Sequence, residues 1–364
     1  MLGNLRRGWI GIEWGTQTLK IAQAECKRGE LRIAASAMVP RRPTSPEIQD
    51  PLSIRPAWSA QDLQAALASD SRFTGKKAAC VLPIHLTDLR TMAIPPGSPA
   101  ERHAMVSNEI SSLRGDTGEE IEFDFWESGH GDSIQATESV NTLSVSSRLV
   151  AELTQTLSRA GLCCEILDGL PLALSRAAAM QYGLECPPTA VLDWGFASSI
   201  FCVVRAGKLI FSRHLRNCGL AKLFETVGQL LNLPEEDVLE ILARYGLPEE
   251  SSADASTKEI QAAIAEAARP HLNEIVEELR RTIAYLGTQF AGIVLERLCL
   301  TGDGAAVRHT DRFLSDLIGL SVDVWQLPAT AANGRSGLPH ESASLGAAFA
   351  LSVLAWNPIH GDAT

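Results

Sequence analysis

The chain has no apolar run long enough to span a bilayer. Met1 to Gly8 is basic but leads into no hydrophobic segment of the signal-peptide kind. Asn357 to Thr364 is short and polar, so neither end is expected to insert into a membrane. A Lys/Arg stripe is missing as well. Arg41-Arg42 and Lys76-Lys77 are isolated pairs in a chain of formal net charge −11, which argues against a nucleic-acid footprint. The eight cysteines include no CxxC spacing. With Cys163-Cys164 read as reduced core, they suggest a reducing compartment and no zinc site. The eight histidines are scattered. His214 and Cys218 stand four apart, but their segment reads as a strand end, which favours structural roles over metal ligation.

What is present is an ordinary globular composition, 364 residues with 45% hydrophobic content. That length suggests two or three domains and a sizeable core. Within it one pattern occurs twice. Ile12-Glu13-Trp14-Gly15-Thr16 and Leu192-Asp193-Trp194-Gly195-Phe196 are each an apolar strand ending in a carboxylate and a glycine turn. Each is followed by a second strand (Leu19 to Ala24, Ile200 to Val204), a tight turn (Arg28-Gly29, Ala206-Gly207) and a third strand from Leu31 or Leu209. The duplication points to two similar lobes.

A glycine turn exposes backbone N–H groups suited to phosphate, and a carboxylate at the strand end can hold hydrated Mg²⁺ beside it. The plainer reading, an acid that only caps its turn, stays open beside this one. A third glycine turn, Gly302-Asp303-Gly304-Ala305, follows the strand Leu298 to Thr301 and is expected to open a helix from Ala306 to Ile318.

Between these landmarks the chain alternates strands and helices. Pro40 to Pro56 reads as a loop, Ala60 to Ala68 as a helix and Ala78 to Leu82 as a buried strand. Leu86 to Leu167 reads as a β-α-β-β-α insertion that returns to the main sheet. Its parts are Leu86 to Ile94, a helix over Pro99 to Leu113, an edge strand at Ile121 to Trp126, Val140 to Val145, and a helix over Arg148 to Ala160 stopped by Gly161. Leu170 to Tyr182 is a linker helix, with Asp168 as its cap. Helices follow at Gly219 to Leu233 and Pro234 to Tyr245, then a polar break at Ser252 to Ser256. Thr257 to Phe290 reads as one long helix or two, with Pro270 as the interruption. Ser342 to Trp356 is a final apolar helix.

With these three loops in this order, the chain resembles the actin-like ATPase superfamily of actin, heat-shock chaperones and sugar kinases. It is most similar to the cell-division and pilus branch, and within that to the type IV pilus assembly PilM family. The resemblance runs from Gly11 to Leu354. Gly11 to Lys20 resembles the first phosphate loop, Asp193 to Ser199 the second, Leu300 to Ala305 the adenosine loop, and Asp168 to Leu174 the helix joining the lobes. Arg280 to Phe290 is similar to the helix that precedes the adenosine strand.

The implied fold is an α/β, actin-like (ribonuclease H-like) two-lobed fold with an inserted β-α-β-β-α subdomain. Residues 1–85 would begin the first lobe, 86–163 form the insertion and 164–185 the linker region. Residues 186–340 would form the second lobe, with a helical part at about 219–290 and the adenosine loop at 301–305. Residues 341–364 would return to the first lobe. The insertion separates this branch from actin and sugar kinases.

The resemblance also implies ATP held by Glu13, Gly15, Thr16, Gln17, Lys20, Asp193, Gly195, Ala197, Ser198, Gly302 and Gly304. Mg²⁺ would be held through water by Glu13 and Asp193, and Asp193 is the catalytic candidate if hydrolysis occurs. The implied partner is the short cytoplasmic tail of a PilN-like bitopic inner-membrane protein, with other inner-membrane components of the machine and a homo-oligomeric ring. The protein itself would be cytoplasmic, peripheral to the inner membrane through its partners, with no nucleic acid and no direct membrane insertion. Phe123, Phe125 and Trp126 either line an edge that accepts an added strand or belong to the core. A GspL-like component of a type II secretion system and an active ATPase or small-molecule kinase are the alternatives. For a kinase the least unsuitable acid is Asp168.

Three departures from the family pattern bear on turnover. Glu13 replaces Asp, displacing the carboxylate by about 1.5 Å in a site where Mg²⁺ demands near-ideal geometry. Asp303 stands between the adenosine-loop glycines. The family's Glu and Lys slots in the helix after the second hairpin fall on Leu239 and Leu242. Together they suggest a scaffold with weak or lost ATP turnover.

Overall fold

The computed structural model describes residues 6–41, 58–114, 119–127, 138–248, 255–290, 293–326 and 342–356. The chain divides into two compact units, one of residues 1–29, 33–173 and 347–364, the other of residues 30–32 and 174–346.

The first unit opens with strands β1 (Arg6–Trp14), β2 (Thr18–Lys27) and β3 (Glu30–Pro40). Antiparallel pairing of β1 and β2 sets Glu13 opposite Lys20 and Trp14 opposite Leu19. Arg28 and Gly29 both take positive φ, the tight hairpin geometry that matches strand twist. Helix α1 (Ala60–Ala68) starts at a reciprocal cap between Ser59 and Asp62. Strand β4 (Lys77–Val81) then lies parallel to β1.

The insertion follows: β5 (Thr87–Ile94), α2 (Pro99–Arg114), β6 (Ile121–Glu127), β7 (Glu138–Ser146) and α3 (Ser147–Arg159). Its strands form an antiparallel sheet in the order β5-β7-β6. Ser98 and Glu101 exchange the bonds of a cap at the start of α2. Helix α3 buries Leu149, Leu153 and Leu157, one helical face, against Ile10, Ile12, Leu19 and Ile21 of the main sheet. Strand β8 (Cys163–Asp168) closes that sheet parallel to β4, so its order is β3-β2-β1-β4-β8.

Helix α4 (Leu170–Tyr182) carries the chain into the second unit. Strands β9 (Thr189–Trp194), β10 (Ser199–Arg205) and β11 (Lys208–Leu215) form its antiparallel meander. Ala206 and Gly207 take positive φ at the turn, as Arg28 and Gly29 do. Helices α5 (Leu220–Leu231), α6 (Glu235–Arg244) and α7 (Ala255–Gln289) follow. Strand β12 (Arg297–Thr301), helix α8 (Thr310–Ile318) and strand β13 (Ser321–Val324) complete the sheet.

Its order is β11-β10-β9-β12-β13, with β12 parallel to both β9 and β13. This reproduces the first sheet strand for strand, so the repeat visible in three strands of sequence extends to five. Leu192, Trp194, Phe201, Leu298 and Leu300 pack against Leu223, Val227, Ile264, Leu272 and Leu279 of the helices. The opposite face carries α4, anchored by the Trp325 indole on the Ala177 carbonyl and by Tyr182 on Asp323.

The last described helix, α9 (Gly346–Val353), packs on β1. Gly11 meets the Ala348 carbonyl where a Cβ would overlap it. Ser352 donates to the Trp9 carbonyl and accepts from the Ala24 N–H at 2.8 Å.

Several expectations need correction. Helix α7 runs unbroken through Pro270. The missing N–H costs one backbone bond, but Ala267, Ala268, His271 and Leu272 around it are buried, and packing of that face keeps the helix whole. The third glycine turn does not open a helix. It forms a short 3₁₀ turn at Asp303–Ala306, and α8 begins only at Thr310, after His309 takes a left-handed conformation. The final helix is shorter than Ser342 to Trp356, since a turn at 344–345 precedes α9 and a 3₁₀ turn ends it. Cys163 is exposed, not core. The loop Pro40 to Pro56 lies outside the described residues from position 42, and the break Ser252 to Ser256 does so up to position 254.

Candidate functional site

In the first unit, the loop Gly15-Thr16-Gln17 joins β1 to β2. A Cβ on Gly15 would overlap the Thr18 carbonyl, so the turn closes only with glycine. Its carbonyls are tied back into the unit. The indole N–H of buried Trp58 donates to Gly15 O at 2.6 Å, and the Arg41 N–H donates to Gln17 O at 2.7 Å. Thr16 and Gln17 are half-buried. The hairpin register brings two of the expected ligands onto each other. Lys20 Nζ lies 2.9 Å from Glu13 Oε1, with side chains 2% and 8% exposed. Glu13 therefore already has a cation.

The second unit builds its loop alike. A Cβ on Gly195 would lie 2.7 Å from the Ser198 carbonyl. Here the carbonyls of Gly195 and Phe196 accept the Leu220 and Ala221 N–H groups at 3.0 and 2.9 Å. Those are the first amides of α5, so this helix start is capped by the loop itself. Gly219 lets the helix approach, since a Cβ there would overlap Ala197. Ser199 Oγ donates to the Cys218 carbonyl at 2.6 Å, and Ser198 Oγ lies 2.8 Å from His214 Nε2. His214 is a strand residue of β11, and Cys218 is buried.

Asp193, next to last in β9, is buried, opposite Ile200 and beside Thr301 in register. The third glycine turn closes on it. Gly302 has φ +83°, and a Cβ there would lie 2.5 Å from Asp193 Oδ1. Gly304 sits on the face of Trp194, where a Cβ would overlap the ring. Thr301 Oγ1 donates to Ala343 O at 2.6 Å and Ser344 Oγ to Gly302 O at 3.0 Å. Asp303 is half-buried. The structure thus gathers Asp193, Gly195, Ala197, Ser198, Gly302 and Gly304 around one strand end of the second unit, and Glu13, Gly15, Thr16, Gln17 and Lys20 around one strand end of the first. Burial pushes the Cys202 and Cys299 thiols up, the latter to about 12, so neither supplies a thiolate beside the loops.

The remaining candidates separate. Phe123 and Phe125 pack with Ile94, Val106, Ile110 and Val140 in the insertion's own small core, and Phe123 stacks on His103. Trp126, an odd step away on the strand, packs against the main-sheet core instead. All three are half-buried, while Glu122, Asp124 and Glu127 of the same strand are exposed. Strand β6 is a sheet edge among the described residues. Asp168 is buried and accepts the Gly169 N–H at 2.8 Å. Leu242 is buried in the second core, and the side chain of Leu239 lies outside the described set.

Sequence reasoning missed Trp58, the α5 amides and His214. Trp58 and α5 are joined to their loops only by the fold. His214 was visible as a histidine but carried no local signal of which loop it would reach.

Comparison with known proteins yields no matching family model and no matching curated protein. Solved structures do match. A PilM–PilN type IV pilus biogenesis complex aligns with a TM-score of 0.76 at 21% identity, covering 96% of this chain and 99% of that one. The ethanolamine utilization protein EutJ from Carboxydothermus hydrogenoformans aligns at 0.52 and 14% identity, covering 96% and 89%. A MamK double helical filament aligns at 0.51 and 10%, covering 96% and 98%. The chain has a PilM-like, actin-like α/β fold. No helix of the described residues is long and apolar enough to cross a membrane.

Proposed function

We propose that the protein is a cytoplasmic actin-like scaffold of a type IV pilus or pilus-like assembly machine. In this reading it binds the cytoplasmic tail of a PilN-like bitopic inner-membrane protein and turns over ATP weakly or not at all. The observation that carries the reading is the likeness to the PilM of a PilM–PilN complex, which spans nearly the full length of both chains. It stands well above the likeness to EutJ and to MamK.

The edge strand β6 is the proposed docking edge. Its rings are largely spent on internal packing, so the backbone edge and the exposed Glu122, Asp124 and Glu127 would do the recognising. Such an edge suits an extended basic tail, which adds a strand and meets opposite charge.

The nucleotide part of the proposal rests on the loops. Asp193, buried against Gly302 with Thr301 alongside, is a carboxylate suited to accept from a water of hydrated Mg²⁺. Mg²⁺ bound there would neutralise phosphate charge. Glu13 fits that role less well, because Lys20 already neutralises its carboxylate. A Glu13 already committed to Lys20 supports nucleotide binding without fast hydrolysis.

Two measurements test this. Calorimetric titration of the full chain with a synthetic peptide of the cytoplasmic tail of a bitopic inner-membrane protein encoded beside it should give micromolar binding, absent for a scrambled peptide. No binding removes the scaffold reading. ATP hydrolysis at the rates of active actin-like ATPases, abolished by Asp193→Ala, would overturn weak turnover.

A further inference from the structure

The two units place their basic group differently. In the first, the residue directly across from the loop carboxylate is Lys20. In the second, the corresponding residue across from Asp193 is Ile200, which offers no charge. The next residue in the same row is His214 on β11, paired with Ile200. Residues directly opposite across strands share a face, so Asp193, Ile200 and His214 lie on one face of the sheet. His214 reaches from there to the loop, with Nε2 2.8 Å from Ser198 Oγ.

The loop around Ser198 is oriented by its anchor. The carbonyls of Gly195 and Phe196 point at the α5 amides, and no described peptide bond is cis. A trans peptide sets its N–H opposite its C=O. The N–H groups of Phe196 and Ala197 therefore point away from α5. Backbone donors, a serine hydroxyl and an imidazole thus converge on one loop, a set suited to phosphate oxygens.

We infer that His214 is a phosphate-binding residue of the second loop, acting with Ser198 and taking in this unit the place that Lys20 holds in the first. The inference rests on the nucleotide-binding part of the reading above and goes beyond it. It assigns the ligand's phosphates, not its nucleoside, to a residue outside the glycine motifs.

The test uses the full chain and calorimetry with Mg·ATP, inorganic pyrophosphate and adenosine as probes. His214→Leu should weaken ATP and pyrophosphate about tenfold, the size expected of a lost hydrogen bond to a charged group. Adenosine should change by less than about twofold. His214→Gln keeps a donor near Ser198 and should stay within about threefold of wild type for all probes. A merely structural role would lower all probes in parallel, and Leu and Gln alike. That outcome, or unchanged pyrophosphate affinity in His214→Leu, overturns the assignment while leaving nucleotide binding intact. If wild type binds neither ATP nor pyrophosphate at millimolar concentration, both readings fall. Should His214→Leu melt at a markedly lower temperature, Ser198→Ala replaces it, with the same expected split between phosphate probes and adenosine.

Discussion

Removing the ammonium of Lys20 should be among the most damaging single changes in the first unit. Lys20 Nζ and Glu13 Oε1 are 2.9 Å apart and both side chains are nearly sealed from water. At an effective dielectric constant near 20, such charges attract by about 6 kcal/mol before desolvation is counted. Desolvation cancels much of that gain, so the pair compares poorly with an apolar pair but costs heavily when half of it is removed. Lys20→Met should therefore lower stability by about 3–5 kcal/mol. Glu13→Gln should cost about 2–4 kcal/mol, and the double variant only about 1–2 kcal/mol. The coupling, at least about 3 kcal/mol, is read from urea unfolding of the four proteins. Hydrogen exchange at β1 and β2 keeps the readout local in a chain with two compact units. A coupling under about 0.5 kcal/mol would refute the reasoning. A phosphate that drew Lys20 off Glu13 would have to offset this coupling, and about 3 kcal/mol corresponds to about a 150-fold loss of affinity.

Two glycine substitutions should act in opposite directions. Gly304→Ala forces a methyl into the Trp194 ring and should destabilise the second unit by about 1–3 kcal/mol. Gly287→Ala, on an open face of α7, should stabilise by about 0.5–1 kcal/mol, and chemical denaturation distinguishes the two. The Arg72 guanidinium beside Asp70 holds its carboxyl down at about 2. Its stabilisation is present above the ordinary carboxylate range and lost as pH falls from about 4 toward 2. With Arg72 half-exposed this amounts to about 1 kcal/mol, and Asp70→Asn should flatten that part of the acid-unfolding curve. Burial pushes the His271 imidazole below its ordinary value. Stability should fall as pH drops below about 6.5, and His271→Leu should weaken that dependence in thermal melts, with His85, also pushed down by burial, supplying the remainder.

Much of the fold was legible because the signals were local. The carboxylate-Trp-Gly turns and the Arg28-Gly29 and Ala206-Gly207 hairpins each specify an element from a few neighbouring residues. The match of β4 with β12 and β8 with β13 was not legible, since parallel strands pair across long connections that leave no short-range mark. Pro270 misled because its cost is local while the packing that outweighs it is not. At the sites, glycines and carboxylates could be named from the sequence. That Lys20 sits on Glu13 follows from hairpin register, which residue types alone do not specify. That α5 caps the second loop, and that His214 reaches it from another strand, are matters of tertiary placement.

The seating of α9 on β1 has a consequence for biosynthesis. The glycine at position 11 admits a helix that begins at residue 346, and Ser352 knits that helix to the Trp9 carbonyl and the Ala24 amide. The second unit, by contrast, is almost one continuous stretch of chain. On a ribosome adding roughly 5–20 residues per second, β1 waits for tens of seconds before the helix that covers it is made. The unit that starts first is thus the one that finishes last. Its early strands spend that interval with an open flank that a chaperone, or a neighbouring nascent chain, is free to find.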